Sequence, residues 1–309
     1  MYSTILVPLD GSERAETIIP YVEQLAQKQD VHVVFTQVIE PTIRSAILNL
    51  EKEREVAYPL QNIDQVQHYL MGWKHQFKQR GLSADILLLR GVAVEGILQA
   101  VNFTNADLVA MTSQGKTGLA RTLYGSVTSG VLNKIHCPLF VVQSKQPEKL
   151  SQINQILIPL DCSYRAEKAI DHATTMAQLY EAKIILLHVV RTGYQTTAIG
   201  DLDSEITEES VAKDIFNRLG KHQEVERIKQ AREYLLNIRS ELQEQDLTVE
   251  VHLMYGRPIE SIITLANDLN VDLVTMTNQG RTGLSQVLYG SVASGILNGS
   301  NRPLLIVPT

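Results

Sequence analysis

Short apolar runs rich in β-branched residues recur along the first half of the chain, and segments with apolar residues at helical spacing separate them. The apolar runs predict five strands, at Thr4–Leu9, Val31–Ile39, Ala84–Leu89, Ala106–Met111 and Pro138–Val142. The segments between them predict helices over Arg14–Gln29, within Glu40–Gln79, over Val94–Phe103 and over Ser126–Lys134. Alternation of this kind predicts a parallel sheet with helices on both faces.

The second half of the chain repeats this plan. Five more apolar runs predict strands at Gln155–Leu160, Lys183–Val190, Leu247–Met254, Val271–Met276 and Pro303–Val307. The polar segment Ser144–Asn154, which contains Pro147, is typical of a linker between domains. The sequence therefore predicts an α/β protein with two doubly wound five-stranded parallel sheets flanked by helices, in domains 1–145 and 154–309.

An internal repeat relates the two halves. Met111–Val142 and Met276–Val307 are identical at 19 of 32 aligned positions. Such a repeat predicts two halves packed about a pseudo-two-fold axis. We expect the fifth strand of each half near their contact, because a short apolar strand at a sheet edge needs covering.

The second half also carries an insertion. The offset between corresponding positions is 151 for Asp10 and Asp161 but 165 for Gly91 and Gly256. The second half therefore has 165 − 151 = 14 additional residues between Asp161 and Gly256. The added positions fall near 192–222, a polar stretch with an acidic cluster. The stretch is interpreted as a solvated loop and helix extension, with a lid or a partner-binding segment as the alternative.

Composition limits the possible partners. The net charge of −6 argues against the basic patches that non-specific nucleic-acid binding needs. Cys137 and Cys162 form no metal-ligand or redox motif, which fits a reducing compartment. The chain shows no signal-peptide pattern and no apolar stretch of the roughly 20 residues that a membrane helix needs. We therefore expect a soluble cytoplasmic protein with no membrane or nucleic-acid partner.

A glycine-bearing loop follows the fourth predicted strand of each half. In the first half, Gly115, Gly118 and Gly125 separate this strand from the helix that opens at Ser126, and the second half repeats the arrangement up to Ser291. Glycine lets the backbone approach a ligand, and the N–H groups at the positive end of a helix favour phosphate. The loops therefore predict anion sites.

Two further segments reach the carboxyl edge of each predicted sheet, where doubly wound folds bind ligands. Asp10 and Asp161 follow the first strands and can accept hydrogen bonds from ribose hydroxyls. Val38 and Val189, near the ends of the second strands, can cover one face of an adenine. Taken singly, the aspartates are turn or cap residues and the valines are core residues. Their recurrence with the glycine loop, in one order in both halves, favours a nucleotide site.

Several other motifs are excluded by the sequence. Ala110 stands where a P-loop needs glycine, and Arg281 replaces Lys116 in the repeat. Neither loop has the G-x-G-x-x-G spacing of a dinucleotide fold, and no G-x-S-x-G or H-E-x-x-H motif occurs. The histidines do not cluster with a nucleophile in either repeat. Catalysis has no visible candidate beyond Asp10 and Asp161.

With these motifs the chain resembles a tandem universal stress protein over essentially its whole length. The resemblance rests on VPLDGS at Val7–Ser12, on IPLDCS at Ile158–Ser163, on the helix openings at Gly91 and Gly256, and on the glycine loops. Family members that bind ATP are described by G-x-x-G, nine residues and G-S/T, so the resemblance implies an adenine-nucleotide site in each half. Carried over by position, the site residues are Pro8, Asp10, Val38, Met111, Gly115, Gly125, Ser126 and Val127 in the first half, and Pro159, Asp161, Val189, Met276, Gly280, Gly290, Ser291 and Val292 in the second.

The chain departs from the family motif at its first glycine, which is Thr112 in one half and Thr277 in the other. The resemblance implies an ATP-binding regulatory protein of the stress response with little or no turnover. It implies ATP, ADP or AMP as the ligand, Mg²⁺ brought with ATP to Asp10 or Asp161, and a homodimer. The two threonines motivate an alternative, a protein-interaction module for an unknown protein partner that binds no nucleotide. A slow ATPase is a further alternative.

Overall fold

A computed structural model describes residues 2–40, 60–113, 125–143, 152–191, 197–201, 222–280 and 290–309. The chain divides into two compact units, Met1–Leu150 and Ser151–Val307. Most of both glycine loops lies outside the described residues, as do residues 41–59 and most of the insertion. The expectations for those segments therefore stay predictions.

The first unit is a sheet of five parallel strands with helices packed against it. Its strands are β1 (Thr4–Pro8), β2 (His32–Ile39), β3 (Ser83–Arg90), β4 (Leu108–Thr112) and β5 (Leu139–Val142). Its helices are α1 (Glu13–Glu16), α2 (Ile19–Lys28), α3 (Leu60–Gln79), α4 (Ala93–Thr104) and α5 (Ser126–Leu132). The strand order is β3-β2-β1-β4-β5, and every neighbouring pair is parallel.

The second unit repeats this sheet and adds one strand. Its strands are β6 (Gln155–Leu160), β7 (Lys183–Arg191), β8 (Thr197–Asp201), β9 (Val249–Gly256), β10 (Leu273–Thr277) and β11 (Leu304–Val307). Its helices are α6 (Tyr164–Tyr180), α7 (His222–Gln243), α8 (Pro258–Asp268) and α9 (Ser291–Gly299). The order is β11-β10-β6-β7-β9-β8. The predicted α/β fold, with doubly wound sheets flanked by helices, is confirmed.

The strand β8 differs from the expectation for the insertion, which was a loop and a helix extension. It pairs antiparallel with β9, with Thr197 opposite Tyr255 and Asp201 opposite His252. Without it, β9 would be an edge strand whose N–H and C=O groups lack partners on one side. The insertion thus contributes a strand that covers this edge of the sheet.

The first predicted helix, Arg14–Gln29, is broken into α1 and α2. Pro20 lies in the first turn of α2. Proline has no N–H to donate to the carbonyl four residues earlier, so a continuous helix would lose a hydrogen bond there. The corresponding residue of the second half is Asp171, at an offset of 151, and α6 runs unbroken through it.

The order of the strands places a crevice in each sheet. β1 pairs with both β2 and β4, and β6 pairs with both β7 and β10. The connections therefore change direction at β1 and at β6, and the loops leaving the adjacent strand ends diverge to opposite faces. All of these strands are buried along most of their length, so the carboxyl edge is where a ligand can reach the sheet.

Gly72 lies mid-way along α3 on its exposed side, and a Cβ at this position would meet no heavy atom within 4 Å. Alanine is favoured over glycine in a helix interior by up to about 1 kcal/mol. We therefore expect Gly72→Ala to stabilise the first unit by about 0.5–1 kcal/mol. Urea unfolding followed by circular dichroism measures the change as a higher midpoint at constant slope. A lower midpoint would contradict the open surroundings of Gly72.

Among the helices of the described ranges, none combines the length and the apolar character that a membrane crossing requires.

Candidate functional site

A cavity of about 770 Å³ opens at the carboxyl edge of the second sheet. Its walls come from the ends of β6, β7 and β10 and from four helices, α6 to α9. The volume lies within the range of about 300–1,000 Å³ that is usual for small-molecule sites. All eight residues that the family resemblance assigns to the second half line it: Pro159, Asp161, Val189, Met276, Gly280, Gly290, Ser291 and Val292. We call it the second-unit cavity.

Asp161 takes part in the turn that follows β6. Its Oδ1 accepts hydrogen bonds from the backbone N of Ser163, at 3.1 Å, and from the Ser163 Oγ, at 2.6 Å. Ser163 in turn caps α6 by accepting from the backbone N of Ala166 at 3.3 Å. The interpretation of Asp161 as a turn residue is therefore right for one carboxylate oxygen. Asp161 is also one of the residues that line the cavity.

Gly280 comes close to the second oxygen of this carboxylate. A Cβ on Gly280 would overlap Asp161 Oδ2 and would lie 3.4 Å from its Cγ. Only a residue without a side chain fits between the end of β10 and Asp161 as they stand. Backbone of the glycine loop therefore lies directly against the aspartate, although the two residues are far apart in the sequence.

Gly290 stands at the start of α9, beside the residues that follow β10. Its backbone N donates to the carbonyl of Asn278 at 2.7 Å, and it is the N-cap of the helix with no side-chain capping bond. Ser291, Val292 and Ala293, the first turn of α9, line the cavity. The orphan N–H groups of a helix's first turn and its positive end favour an anion at such a place.

Thr277 occupies the position of the missing first glycine of the family motif. It is 7% exposed and lines the second-unit cavity. Its hydroxyl donates to the carbonyl of Gln279 at 2.8 Å, within the loop itself. The polar group of this threonine is thus satisfied inside the protein, and its methyl group is what remains to contact a ligand.

Residues that differ between the halves also line the cavity, and the sequence motifs do not assign them to the site. Cys162 has φ = 60°, in the left-handed region, where the first half has Gly11 at φ = 75°. His188 Nδ1 donates to the carbonyl of Leu160 at 2.8 Å and lies 3.4 Å from the Cys162 Sγ. An internal repeat identifies the residues that both halves share, so it gives no signal for residues that occur in one half alone.

Three more lining residues lie on α7: Arg227, Gln230 and Ala231.

Two turns after Arg227, Tyr234 faces α6, and burial and the carboxylate of Glu167 raise the pKa of its hydroxyl. In the first unit the corresponding Tyr69 donates to Glu16 Oε1 at 2.8 Å. Phenols held protonated in this way are hydrogen-bond donors rather than bases.

The first unit arranges its corresponding residues in the same way, as far as it is described. Asp10 Oδ1 accepts from the backbone N of Ser12 at 3.0 Å, and Gly125 N donates to the carbonyl of Ser113 at 2.7 Å. Val38 fills the space beside Gly96, where a Cβ would lie 2.6 Å from its Cγ2. The strand ends and the start of α5 place seven assigned residues at one edge: Pro8, Asp10, Val38, Met111, Gly125, Ser126 and Val127. The eighth, Gly115, lies outside the described residues.

Metal ligands are not clustered at either edge in the part of the chain that the structure describes. No group of three or more His, Cys, Asp or Glu side chains in those ranges could hold a metal ion. The phosphates of a bound nucleotide could supply further oxygen ligands to a Mg²⁺ at Asp161.

Both halves match one family model. Residues 1–143 and 152–308 match the model described as the universal stress protein family. Universal stress protein MJ0577 of Methanocaldococcus jannaschii is 29% identical over 162 residues, which is 50% of this chain and 93% of that protein. A universal stress protein of Mycolicibacterium smegmatis is 22% identical over 311 residues, which is 98% of this chain and 96% of the relative.

A solved structure has the same fold along the whole chain. The universal stress protein from Archaeoglobus fulgidus DSM 4304 has a TM-score of 0.71 at 18% identity, and the match covers 99% of this chain and 98% of that one. At this identity the likeness shows the fold alone. It establishes that two such units in one chain are an arrangement found in a solved structure.

Proposed function

The chain belongs to the universal stress protein family, and from that premise we propose that it is an adenine-nucleotide-binding regulatory protein of the stress response. Its ligand is ATP, with ADP or AMP as related ligands, and it turns ATP over slowly or not at all. Mg²⁺ would enter with the ATP phosphates and meet the carboxylate of Asp161 or Asp10. The binding residues are the sixteen that the family motif assigns.

One observation carries the proposal. The eight second-half residues are scattered along the sequence from Pro159 to Val292, yet they line one cavity. The motif assigns them by sequence position, independently of the cavity. A purely structural role for the motif would not require its strand ends, its glycines and its serine to surround a common space.

The chemistry of the walls fits the parts of a nucleotide. Val189 and Met276 offer apolar surface for a purine, and Met276 is 6% exposed. The first turn of α9 offers N–H groups and the Ser291 hydroxyl for phosphate. Asp161 offers an acceptor for ribose hydroxyls or a ligand for Mg²⁺.

The nucleotide content of freshly purified protein tests the proposal. The protein is denatured, and the supernatant is separated by anion-exchange chromatography. We expect ATP, ADP or AMP at about one to two per chain, one for each unit, or stoichiometric uptake of added Mg-ATP by an empty protein. A protein that is empty and takes up no nucleotide would overturn the proposal and would favour the interaction module that Thr112 and Thr277 motivate.

A second measurement separates regulation from hydrolysis. After loading with ATP, the ratio of ADP to ATP is followed for several hours in the wild type and in a variant with both Asp10→Ala and Asp161→Ala. Little ADP in either supports a binding protein. Steady ADP formation that the double variant abolishes would move the assignment to a slow ATPase.

The homodimer, the cytoplasmic location and the domain limits at 1–145 and 154–309 belong to the same proposal. Light scattering after size-exclusion chromatography measures the oligomeric state. Limited proteolysis tests the domain limits, since we expect the first cleavage within the polar linker of residues 144–154.

A further inference from the structure

Two arginines give the second-unit cavity a positive charge that the corresponding described residues of the first unit do not reproduce. Arg191 ends β7 and Arg227 lies on α7, and both line the cavity. At the repeat offset of 151, Arg191 corresponds to Glu40, because 191 − 151 = 40. At the offset of 165 that applies after the insertion, Arg227 corresponds to Asn62, because 227 − 165 = 62.

The first unit uses its acidic residue within the fold. Glu40 Oε1 accepts a hydrogen bond from the backbone N of Ala93 at 3.0 Å, at the start of α4. In the second unit the residue equivalent to Ala93 is Pro258, which has no N–H to donate. The same place beside the sheet edge thus holds a carboxylate in one unit and a guanidinium in the other.

Neighbouring described residues reduce the difference in charge between the two units but do not cancel it. Arg90 ends β3 in the first unit, where the second unit has Tyr255 at the end region of β9. Among the described residues of the first unit, and counting the aspartate of the turn, Asp10, Glu40 and Arg90 stand at this edge, a net negative set. The second unit presents Asp161, Arg191 and Arg227, a net positive set.

The two guanidinium groups are not paired within the described part of the second unit. Other cationic side chains of this unit are paired with carboxylates, since Lys183 contacts Glu250 and Arg257 lies 3.0 Å from Glu260. Neither Arg191 nor Arg227 forms an ion pair with a described carboxylate. Among the described lining residues Asp161 is the one carboxylate, so the cavity carries an excess of positive charge.

We propose that the second unit holds the anion-selective site of the pair, and that Arg191 and Arg227 are the residues that set its selectivity. The inference rests on the proposed function. This site binds adenine nucleotides in the order of their phosphate number, from adenosine through AMP and ADP to ATP, and the first-unit site discriminates among them less.

The physical reason is the field of two positive charges on exposed side chains that line the cavity. Positive charges act on a phosphate over roughly the Debye length of 8–10 Å at physiological salt, and further where protein rather than water lies between them. Strands that are two apart in a sheet lie about 10 Å apart, so Arg191 at the end of β7 is within about this range of the end of β10. Guanidinium groups stay charged at all relevant pH values.

Cys162 supplies a reporter that belongs to this cavity alone. Its thiol lines the second-unit cavity, whereas Cys137 lies in the first unit, where burial raises the pKa of its thiol to about 11. Alkylation with N-ethylmaleimide, read by peptide mass spectrometry, follows each cysteine separately. The nucleotide concentration that halves the labelling rate of Cys162 gives the affinity of the second site, independently of the rate without ligand.

The test compares adenosine, AMP, ADP and ATP without Mg²⁺ on the wild type and on Arg191→Gln with Arg227→Asn. We expect affinity to rise with phosphate number in the wild type. The double variant should bind ATP about tenfold or more weakly and adenosine unchanged, since charged hydrogen bonds and ion pairs contribute on this scale. Lys229→Gln removes an exposed charge from α7 outside the cavity and should change neither the affinity for ATP nor the affinity for adenosine.

The outcomes separate this inference from the proposed function. If no nucleotide protects Cys162 or binds the wild type by calorimetry, the function fails and the inference fails with it. If ATP binds the double variant as tightly as the wild type, only the inference is overturned. If the double variant loses adenosine binding as well, the charge-conserving variant Arg227→Lys is measured. A retained preference for ATP over adenosine in this variant supports selectivity by charge, and equal binding of ATP and adenosine contradicts it.

Discussion

Replacing Gly280 with alanine is expected to lower the affinity of the second unit for ATP by about tenfold or more. The new Cβ would overlap Asp161 Oδ2, and the carboxylate cannot turn away freely because its Oδ1 is bound to the backbone N and hydroxyl of Ser163. Relief of the overlap would displace the carboxylate or the loop from the ligand, and the loss of one hydrogen bond to a charged group costs about 1.5–3 kcal/mol, where about 1.4 kcal/mol is a factor of ten in affinity. Isothermal titration with Mg-ATP, together with protection of Cys162, measures the change at this site.

Two further variants help to find the cause of the loss: Gly290→Ala, at another assigned binding residue, is compared for its effect on the fold alone, and Gly72→Ala is the control for ATP binding. Gly290→Ala places its Cβ 3.4 Å from the carbonyl oxygen of Asn278, so the apo fold should tolerate it. Gly72 lies in the first unit, so Gly72→Ala should leave ATP binding by the second unit unchanged. Unaltered ATP affinity in a folded Gly280→Ala protein would show that the loop and Asp161 do not form the binding site together.

Gly295→Ala is expected to destabilise the second unit by about 2 kcal/mol, the balance of an overpacking cost and a gain in helix propensity. Gly295 lies on α9 against Ile259 of α8, and a Cβ there would overlap the Ile259 Cδ1 and lie 2.8 Å from its Cγ1. Overpacking costs about 3 kcal/mol at the upper end of its usual range, and the better helix propensity of alanine offsets about 1 kcal/mol. Urea unfolding measures the loss as a lower midpoint for the second unit.

A double-mutant cycle shows whether Ile259 is the cause. Ile259→Ala removes the three atoms that lie nearest to the new methyl group, so the double variant should be more stable than the sum of the single changes predicts. Gly72→Ala makes the same substitution in open space and should raise stability. If Gly295→Ala and Gly72→Ala shift the midpoint in the same direction, close packing of α8 on α9 is refuted as the reason for Gly295.

The elements were largely predictable because their signals are local. A short apolar run rich in β-branched residues indicates a buried strand whatever it pairs with, and the alternation of strands and helices leaves the doubly wound sheet as the natural solution. The break at Pro20 has a local cause too, since it follows from one missing N–H. The prediction of a single helix over Arg14–Gln29 was wrong because it gave the apolar spacing more weight than the proline.

The strand β8 was not predictable from its own residues. The segment Thr197–Asp201 is short, contains Gly200 and lacks the alternation that identifies a strand. It is a strand because β9, a distant segment of the sequence, presents an unpaired edge to it. A requirement of the partner strand, rather than a propensity of the segment, decides its structure.

The candidate site, like the fold, has features that the sequence predicts and features that only the tertiary structure decides. The order of apolar runs and glycines predicted that the aspartate, the valine and the glycine loop of each half meet at one edge, because parallel strands bring their carboxyl ends together, and the family resemblance assigned the full set of eight residues in each half. It gave no indication that Gly280 lies against Asp161, or that α7 brings Arg227 to the wall of the cavity. These contacts depend on how a helix and a loop pack against strands from distant parts of the chain, which no local period records. The charge of the second-unit cavity is therefore a property of the tertiary packing.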